Sequence, residues 1–179
     1  MVENNKIILI LGGARSGKSN FAQSLAEKMS QSVLFVATSE PLDDEMKERI
    51  EKHKKNRPVN WNTLEIRNEI GQNLINNSGN SDVIIIDCLT LLVSNLIGEQ
   101  KDPNDVAETI VSELNELVIS LQTMDKTFII VSNEVGMGIV PENKLARIYR
   151  DYLGKANQLI AQLANEVYLM VAGIPVKIK

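Results

Sequence analysis

The chain has 179 residues, 44% of them hydrophobic and 23% charged, with a formal net charge of -4 at pH 7. Those values fit one globular domain spanning 1–179 with a sizeable core, and they exclude wholesale disorder. Lysines and arginines are scattered rather than clustered, which argues against a nucleic-acid partner, and no apolar run approaches the roughly 18–20 residues that span a bilayer.

The first five residues, Met1-Val2-Glu3-Asn4-Asn5, carry no basic stretch leading into an apolar signal core, so the expected location is the cytoplasm. Cys88 is the only cysteine and His53 the only histidine. An intramolecular disulfide, a cysteine-built zinc site and any multi-histidine metal site are therefore excluded. Cys88 directly follows an apolar run and reads as a buried, unreactive thiol.

Residues 6–11 form a continuous, β-branched apolar run ending in Gly12-Gly13, the pattern of a strand buried on both faces. Beyond the glycines, Phe21, Leu25 and Met29 recur every four residues with Ala22 and Ala26 beside them, which predicts one face of a helix. Residues 33–36 read as a second buried strand, so the chain opens with a right-handed strand–helix–strand unit. A charged helix is expected over 43–55, its acids at the start and its bases at the end, as the helix dipole favours.

A short strand follows at 61–66, and a firmer one at 82–86 is closed by Asp87. A helix starting over 90–97, a loop at 98–104 and a long amphipathic helix over 106–124 come next. Residues 128–131 form another buried strand running into Ser132-Asn133-Glu134, and 145–163 is the last helix. The chain closes with a hairpin of 167–171 and 176–178 about a Gly173-Ile174-Pro175 turn. The expected fold is α/β: a P-loop NTPase of RecA-like type, a three-layer sandwich with a mainly parallel sheet and a C-terminal antiparallel hairpin.

The octapeptide Gly12-Gly13-Ala14-Arg15-Ser16-Gly17-Lys18-Ser19 fits the pattern G-x4-G-K-[ST]. The glycines let the backbone curl so that successive amides face one anion, Lys18 brings charge to the β- and γ-phosphates, and the Ser19 hydroxyl ligates Mg²⁺. The helix that follows adds the positive end of its dipole. A carboxylate at the end of a neighbouring strand completes such a magnesium shell, and Asp87 is the residue so placed. Together these residues indicate a nucleoside triphosphate with Mg²⁺ and leave the reaction open.

His53 follows Ile50 by three residues and Met46 by seven, so the three share a helix face, while Glu48–Lys52 and Glu51–Lys55 pair on the other. Two readings remain at this point: a hydrogen-bonded histidine in a packed face, or a nucleophile that attacks a nucleotide phosphorus. The bases Lys54, Lys55 and Arg57 either neutralise polyphosphate charge or satisfy a helix C-terminus.

Several segments resemble one family: the octapeptide, Ala37-Thr38-Ser39, Asp43-Asp44-Glu45-Met46, Arg57-Pro58 with Trp61, the stretch from Ser132 to Asn143 that contains Asn133-Glu134-Val135-Gly136-Met137-Gly138, and the ending Gly173-Ile174-Pro175-Val176-Lys177-Ile178-Lys179. They are similar to the bifunctional adenosylcobinamide kinase/adenosylcobinamide-phosphate guanylyltransferases, over essentially the whole chain. The resemblance implies phosphorylation of the aminopropanol hydroxyl of adenosylcobinamide by ATP or GTP. It then implies transfer of GMP from GTP to that phosphate through a GMP-histidine intermediate. His53 falls at the family's guanylylated position. Gly12–Ser19, Ala37, Thr38, Ser39, Lys54, Lys55, Asn56, Arg57, Glu65 and Asp87 fall at its nucleotide contacts.

Glu65 suits the adjacent N1–H and N2–H donors of guanine. Lys52 stands where the family often has a first histidine, Lys55-Asn56 replaces its Asp-Gly, and Asp87 replaces a glutamate. The bases considered for the acceptor hydroxyl are Asp87 and Glu134. The resemblance also implies a homotrimer. Two competitors stand beside this reading: a monofunctional P-loop small-molecule kinase with a structural His53, and a non-catalytic module gated by nucleotide.

Overall fold

Short, β-branched aliphatic runs with no polar face suit strands covered on both sides, and the molecule is built around them. The computed structural model describes residues 5–39, 44–55, 57–99 and 103–179, and no side chains at 45, 46, 49, 53, 99 and 103–105. In chain order the elements are β1 (Lys6–Gly12), α1 (Lys18–Met29), β2 (Val33–Ala37), α2 (Asp44–Lys55), β3 (Asn62–Glu65), α3 (Ile70–Asn77) and β4 (Val83–Asp87). They continue with α4 (Leu89–Glu99), α5 (Pro103–Thr123), β5 (Thr127–Val131), α6 (Lys144–Leu163), β6 (Glu166–Val171) and β7 (Ile174–Lys177).

The strands form one sheet in the order β3-β2-β4-β5-β1-β6-β7. Every neighbouring pair is parallel except β6 and β7. Alternate residues of each central strand face opposite layers. Ile7, Leu9, Ile84, Ile86, Phe128 and Ile130 meet the apolar faces of α3, α4, α5 and α6. Ile8, Ile10, Val33, Phe35, Ile85 and Ile129 meet Ala22 and Ala26 of α1. The result is the expected three-layer α/β sandwich with a parallel sheet and a terminal antiparallel hairpin.

Three local expectations change. The buried face of α1 centres on Ala22 and Ala26, with Phe21 and Leu25 at its margin and Met29 exposed, because small residues let the helix approach the sheet closely. The loop expected at 98–104 is shorter: α4 runs through Gly98 to Glu99 and α5 starts at Pro103, while residues 100–102 lie outside the described residues. Asp43, expected to start the charged helix, also lies outside them. In the hairpin, Ile174 and Pro175 belong to β7, and the turn is Ala172-Gly173 with φ of 50° and 84°.

Helix α3 is the element with no counterpart among the expectations. Its eight residues follow Glu69 at φ 52°, and no side chain of that residue caps it. The cap comes from α5 instead: the Glu113 carboxylate accepts the amides of Ile70 at 2.6 Å and Glu69 at 2.9 Å. Burial pushes the Glu113 carboxyl up from its ordinary value, against the pull of those two amides. Gly71 makes the pairing possible, since a Cβ there would stand 2.4 Å from the Glu116 carbonyl oxygen.

Candidate functional site

Parallel strands deliver their carboxyl ends to one edge of the sheet, which is where such folds bind ligands. Ala37 lies beside both Asp87 and Glu65, Asp87 beside Val131, Ile10 beside Val131, and Gly12 beside Met170. The residues expected to hold a nucleotide on β1, β2, β3 and β4 are thus brought to a single edge.

At the end of β1 the chain turns into α1 through the glycine-rich loop. Gly12 (φ 152°), Arg15 (φ 57°) and Gly17 (φ 93°) adopt backbone conformations that favour glycine. Gly13, Ala14 and Arg15 are exposed, while Ser16 and Ser19 are half-buried. Lys18 is buried in the first turn of α1, and its Nζ donates to the Gly13 carbonyl at 2.6 Å, closing the loop on itself. A triphosphate would draw that ammonium from a neutral carbonyl to an anion, a stronger charge-assisted bond.

Thr38 plays a different part from its neighbours. Its hydroxyl donates to the Cys88 carbonyl at 2.7 Å and accepts the Cys88 amide at 2.8 Å, and its own amide donates to the Asp87 carbonyl at 3.2 Å. Fully buried, it pins the ends of β2 and β4 together and so fixes where Asp87 points. Ala37 is buried beside it, and Ser39 is half-buried. Cys88 is half-buried rather than fully buried as expected, and its thiol is pushed up to about 11, first by burial of the sulfur and then by the Asp87 charge. It stays protonated at neutral pH, as expected of an unreactive thiol.

Beyond α2, Lys54, Lys55, Arg57, Pro58, Val59, Trp61, Thr63 and Glu65 line a cavity of about 480 Å³. Arg57 stacks on the Phe35 ring at 3.6 Å, a cation–π contact that fixes the guanidinium plane. Burial pulls that guanidinium below its ordinary value, while Asp87 and Glu65 oppose the shift. Lys54 pairs with Glu65 at 2.7 Å. Lys54 and Lys55 are exposed at the end of α2. Asn56 lies outside the described residues. The backbone of His53 belongs to the last turns of α2, whose described side chains are exposed apart from the half-buried Ile50.

Four buried side-chain atoms find no hydrogen-bond partner among the described residues: Ser16 Oγ, Arg57 Nε, Ser132 Oγ and Asn157 Oδ1. Unpaired buried polar groups are costly and therefore rare in folded chains. All four lie at the carboxyl edge: Ser16 in the loop, Arg57 facing Asp87 and Glu65, Ser132 at the end of β5, and Asn157 through its bond to the Asn133 carbonyl. An anion in the loop would supply Ser16 with an acceptor. The oxygen donors at this edge, Ser19 and Asp87, are of the hard type that suits Mg²⁺.

Sequence reasoning missed the role of the segments that touch the loop from outside. The Glu134 amide donates to the Gly12 carbonyl at 3.1 Å, and the Gly173 amide donates to the Ser16 carbonyl at 3.0 Å. Asn133 is held in turn by the Thr90 hydroxyl at 2.7 Å. Backbone donors leave no trace in residue type, so no pattern could have announced these contacts.

The chain is similar to known proteins over nearly its whole length. The family described as "Cobinamide kinase / cobinamide phosphate guanyltransferase" matches residues 8–178. The chain is 44% identical to the bifunctional adenosylcobalamin biosynthesis protein CobU of Escherichia coli (strain K12), over 97% of this chain and 99% of that protein. It is 43% identical to the protein of the same name from Salmonella typhimurium (strain LT2), with the same coverage. It is 37% identical to the bifunctional adenosylcobalamin biosynthesis protein CobP of Pseudomonas aeruginosa, over 96% of each. Matched over residues 8–178 and similar to these relatives along nearly its full length, the chain belongs to the cobinamide kinase/cobinamide phosphate guanyltransferase family.

Proposed function

We propose that 1–179 is a single catalytic domain that carries out both family reactions at the carboxyl edge of its sheet, using ATP or GTP for the first and GTP for the second. The observation that carries the proposal is the phosphate loop, with Lys18 Nζ hydrogen-bonded to the loop's own Gly13 carbonyl and Ser16 Oγ buried without a partner among the described residues.

In the kinase step the aminopropanol hydroxyl of adenosylcobinamide attacks the γ-phosphorus, and the bond to the β-bridging oxygen breaks. The loop amides and Lys18 stabilise the charge on the transferring group, since positioning and electrostatics dominate this chemistry. Asp87 or Glu134 takes the hydroxyl proton. Glu134 is half-buried, with one carboxylate oxygen accepting the Gly136 amide at 2.6 Å, which leaves the other for that task. Ser19 and Asp87 would hold Mg²⁺, which supplies charge neutralisation to the phosphates when bound.

In the transferase step neutral His53 attacks the α-phosphorus and pyrophosphate leaves. A phosphate oxygen of adenosylcobinamide phosphate then attacks that phosphorus and the phosphorus–nitrogen bond breaks, which releases His53 and yields adenosylcobinamide-GDP. Ala37, Ser39, Lys54, Lys55, Asn56, Arg57 and Glu65 surround the nucleotide, with Glu65 accepting from the guanine edge while it shares its charge with Lys54. Thr38 acts on the nucleotide through the backbone that it fixes.

The protein works in the cytoplasm as a homotrimer. Among the described residues no helix is long and apolar enough to cross a membrane. The uncovered edge strand β7, with Ile174 and Val176 exposed beside Val171, supports association, because sheet edges of this kind are seldom left bare.

The test is turnover of adenosylcobinamide with GTP and Mg²⁺, products resolved by mass. The expected sequence is the phosphate first and the GDP adduct with pyrophosphate second. Accumulation of the phosphate alone would reduce the protein to a monofunctional kinase.

A further inference from the structure

A loop that turns its amides inward on an anion must turn carbonyls outward, where each needs a donor of its own. Within the octapeptide, Gly13 O receives the Ser16 amide and Lys18 Nζ, and Gly17 O receives the Phe21 amide of α1. Two further carbonyls of the loop are served from distant chain. Gly12 O takes the Glu134 amide at 3.1 Å and Ser16 O takes the Gly173 amide at 3.0 Å.

Steric contacts follow the same two lines. A Cβ on Gly12 would meet the Met170 carbonyl oxygen at 2.8 Å, and one on Gly17 would meet Gly173 Cα at 3.3 Å. The hairpin turn reaches the loop only because Ala172 and Gly173 both take positive φ, which brings an amide rather than a side chain to Ser16.

We propose that the amide of Gly173, at the tip of the C-terminal hairpin, is a positioning group of the triphosphate site. It holds the Ser16 carbonyl outward so that the loop amides stay aimed at the β- and γ-phosphates before nucleotide arrives. The Glu134 amide does the same at the Gly12 end, and the two grips bracket the loop. The segments Asn133–Gly138 and Gly173–Lys179 thereby act on nucleotide through the backbone of the loop. The inference rests on the nucleotide site proposed above.

The direct test replaces a single amide by an ester in the full-length protein, with glycolate in place of Gly173, which deletes the donor and little else. The control carries an ester at Ile178, whose amide donates to the Val167 carbonyl at 2.8 Å at the far end of the hairpin. Both esters lose one backbone hydrogen bond, so both should lower the unfolding temperature by similar amounts. Only the Gly173 ester should weaken binding of a non-hydrolysable GTP analogue, by about 3- to 10-fold, the net worth of one hydrogen bond. Its KM for GTP should rise by the same factor while its KM for adenosylcobinamide is unchanged.

An affinity unchanged in the Gly173 ester, or reduced equally by the Ile178 ester, overturns the inference. Failure of the unmodified protein to bind the analogue would instead overturn the nucleotide site on which the inference stands.

Discussion

The two edges of the sheet are built on opposite terms. At the amino edge polar groups are closed among themselves: Glu166 at the start of β6 bonds Lys6 of β1 at 2.6 Å, Lys177 of β7 at 3.4 Å and the Tyr168 hydroxyl at 2.6 Å. Asn165 exchanges two hydrogen bonds with Ile7, and Ser30 donates to Asp82 at 2.6 Å. At the carboxyl edge the backbone takes left-handed conformations, Lys54, Arg57 and Glu65 line a cavity, and the four buried polar atoms without a partner among the described residues gather. The difference separates the two tasks of the fold. One edge is satisfied by the protein itself and contributes stability; the other is left to be completed by a ligand.

The comparison breaks if a change at one edge registers at the other. Lys18→Ala should lower the kinase kcat by about 10²- to 10³-fold, measured as phosphate transfer to adenosylcobinamide, and shift folding stability by less than about 1 kcal/mol. Asp87→Asn should weaken the Mg²⁺ dependence of the same rate by about 10- to 100-fold, read from a Mg²⁺ titration, again with little change in stability.

Away from the site, the order of effects reverses. Gly71→Ala forces a Cβ onto the Glu116 backbone and should cost about 1–3 kcal/mol in urea unfolding, leaving the affinity for GTP unchanged. The smallest effect is at the amino edge. Lys6 first, then Tyr168 and Lys177, pull the Glu166 carboxyl down to about 2. A carboxylate so depressed stabilises the fold above its ordinary value of 4.5 and loses that contribution as pH falls toward 2. Solvent screens these exposed partners, so Glu166→Gln should cost about 1 kcal/mol at neutral pH. The two proteins should converge in acid unfolding between about pH 4.5 and 2.

Most of the sheet was legible because its strands are short aliphatic runs, and the octapeptide was legible because phosphate binding demands glycine, lysine and serine at fixed spacing. Helix α3 was not, since its cap is a carboxylate 43 residues further on, and a tertiary donor leaves no local signal. The hairpin turn was misplaced toward Pro175 because Pro tolerates an edge strand as well as a turn, whereas Ala172 at positive φ runs against its type. Thr38 was legible as a site residue but not as a strut, because a hydroxyl pattern does not say which partner it finds. The grip of Gly173 on Ser16 was out of reach for the same reason that α3 was.

The central claim, one site serving two chemistries, is tested most directly by GTP labelled at the α-phosphorus. The protein should retain label through denaturation and lose it in acid, as a phosphoramidate does. His53→Asn should take up none while still phosphorylating adenosylcobinamide. Label retained in His53→Asn would contradict the account.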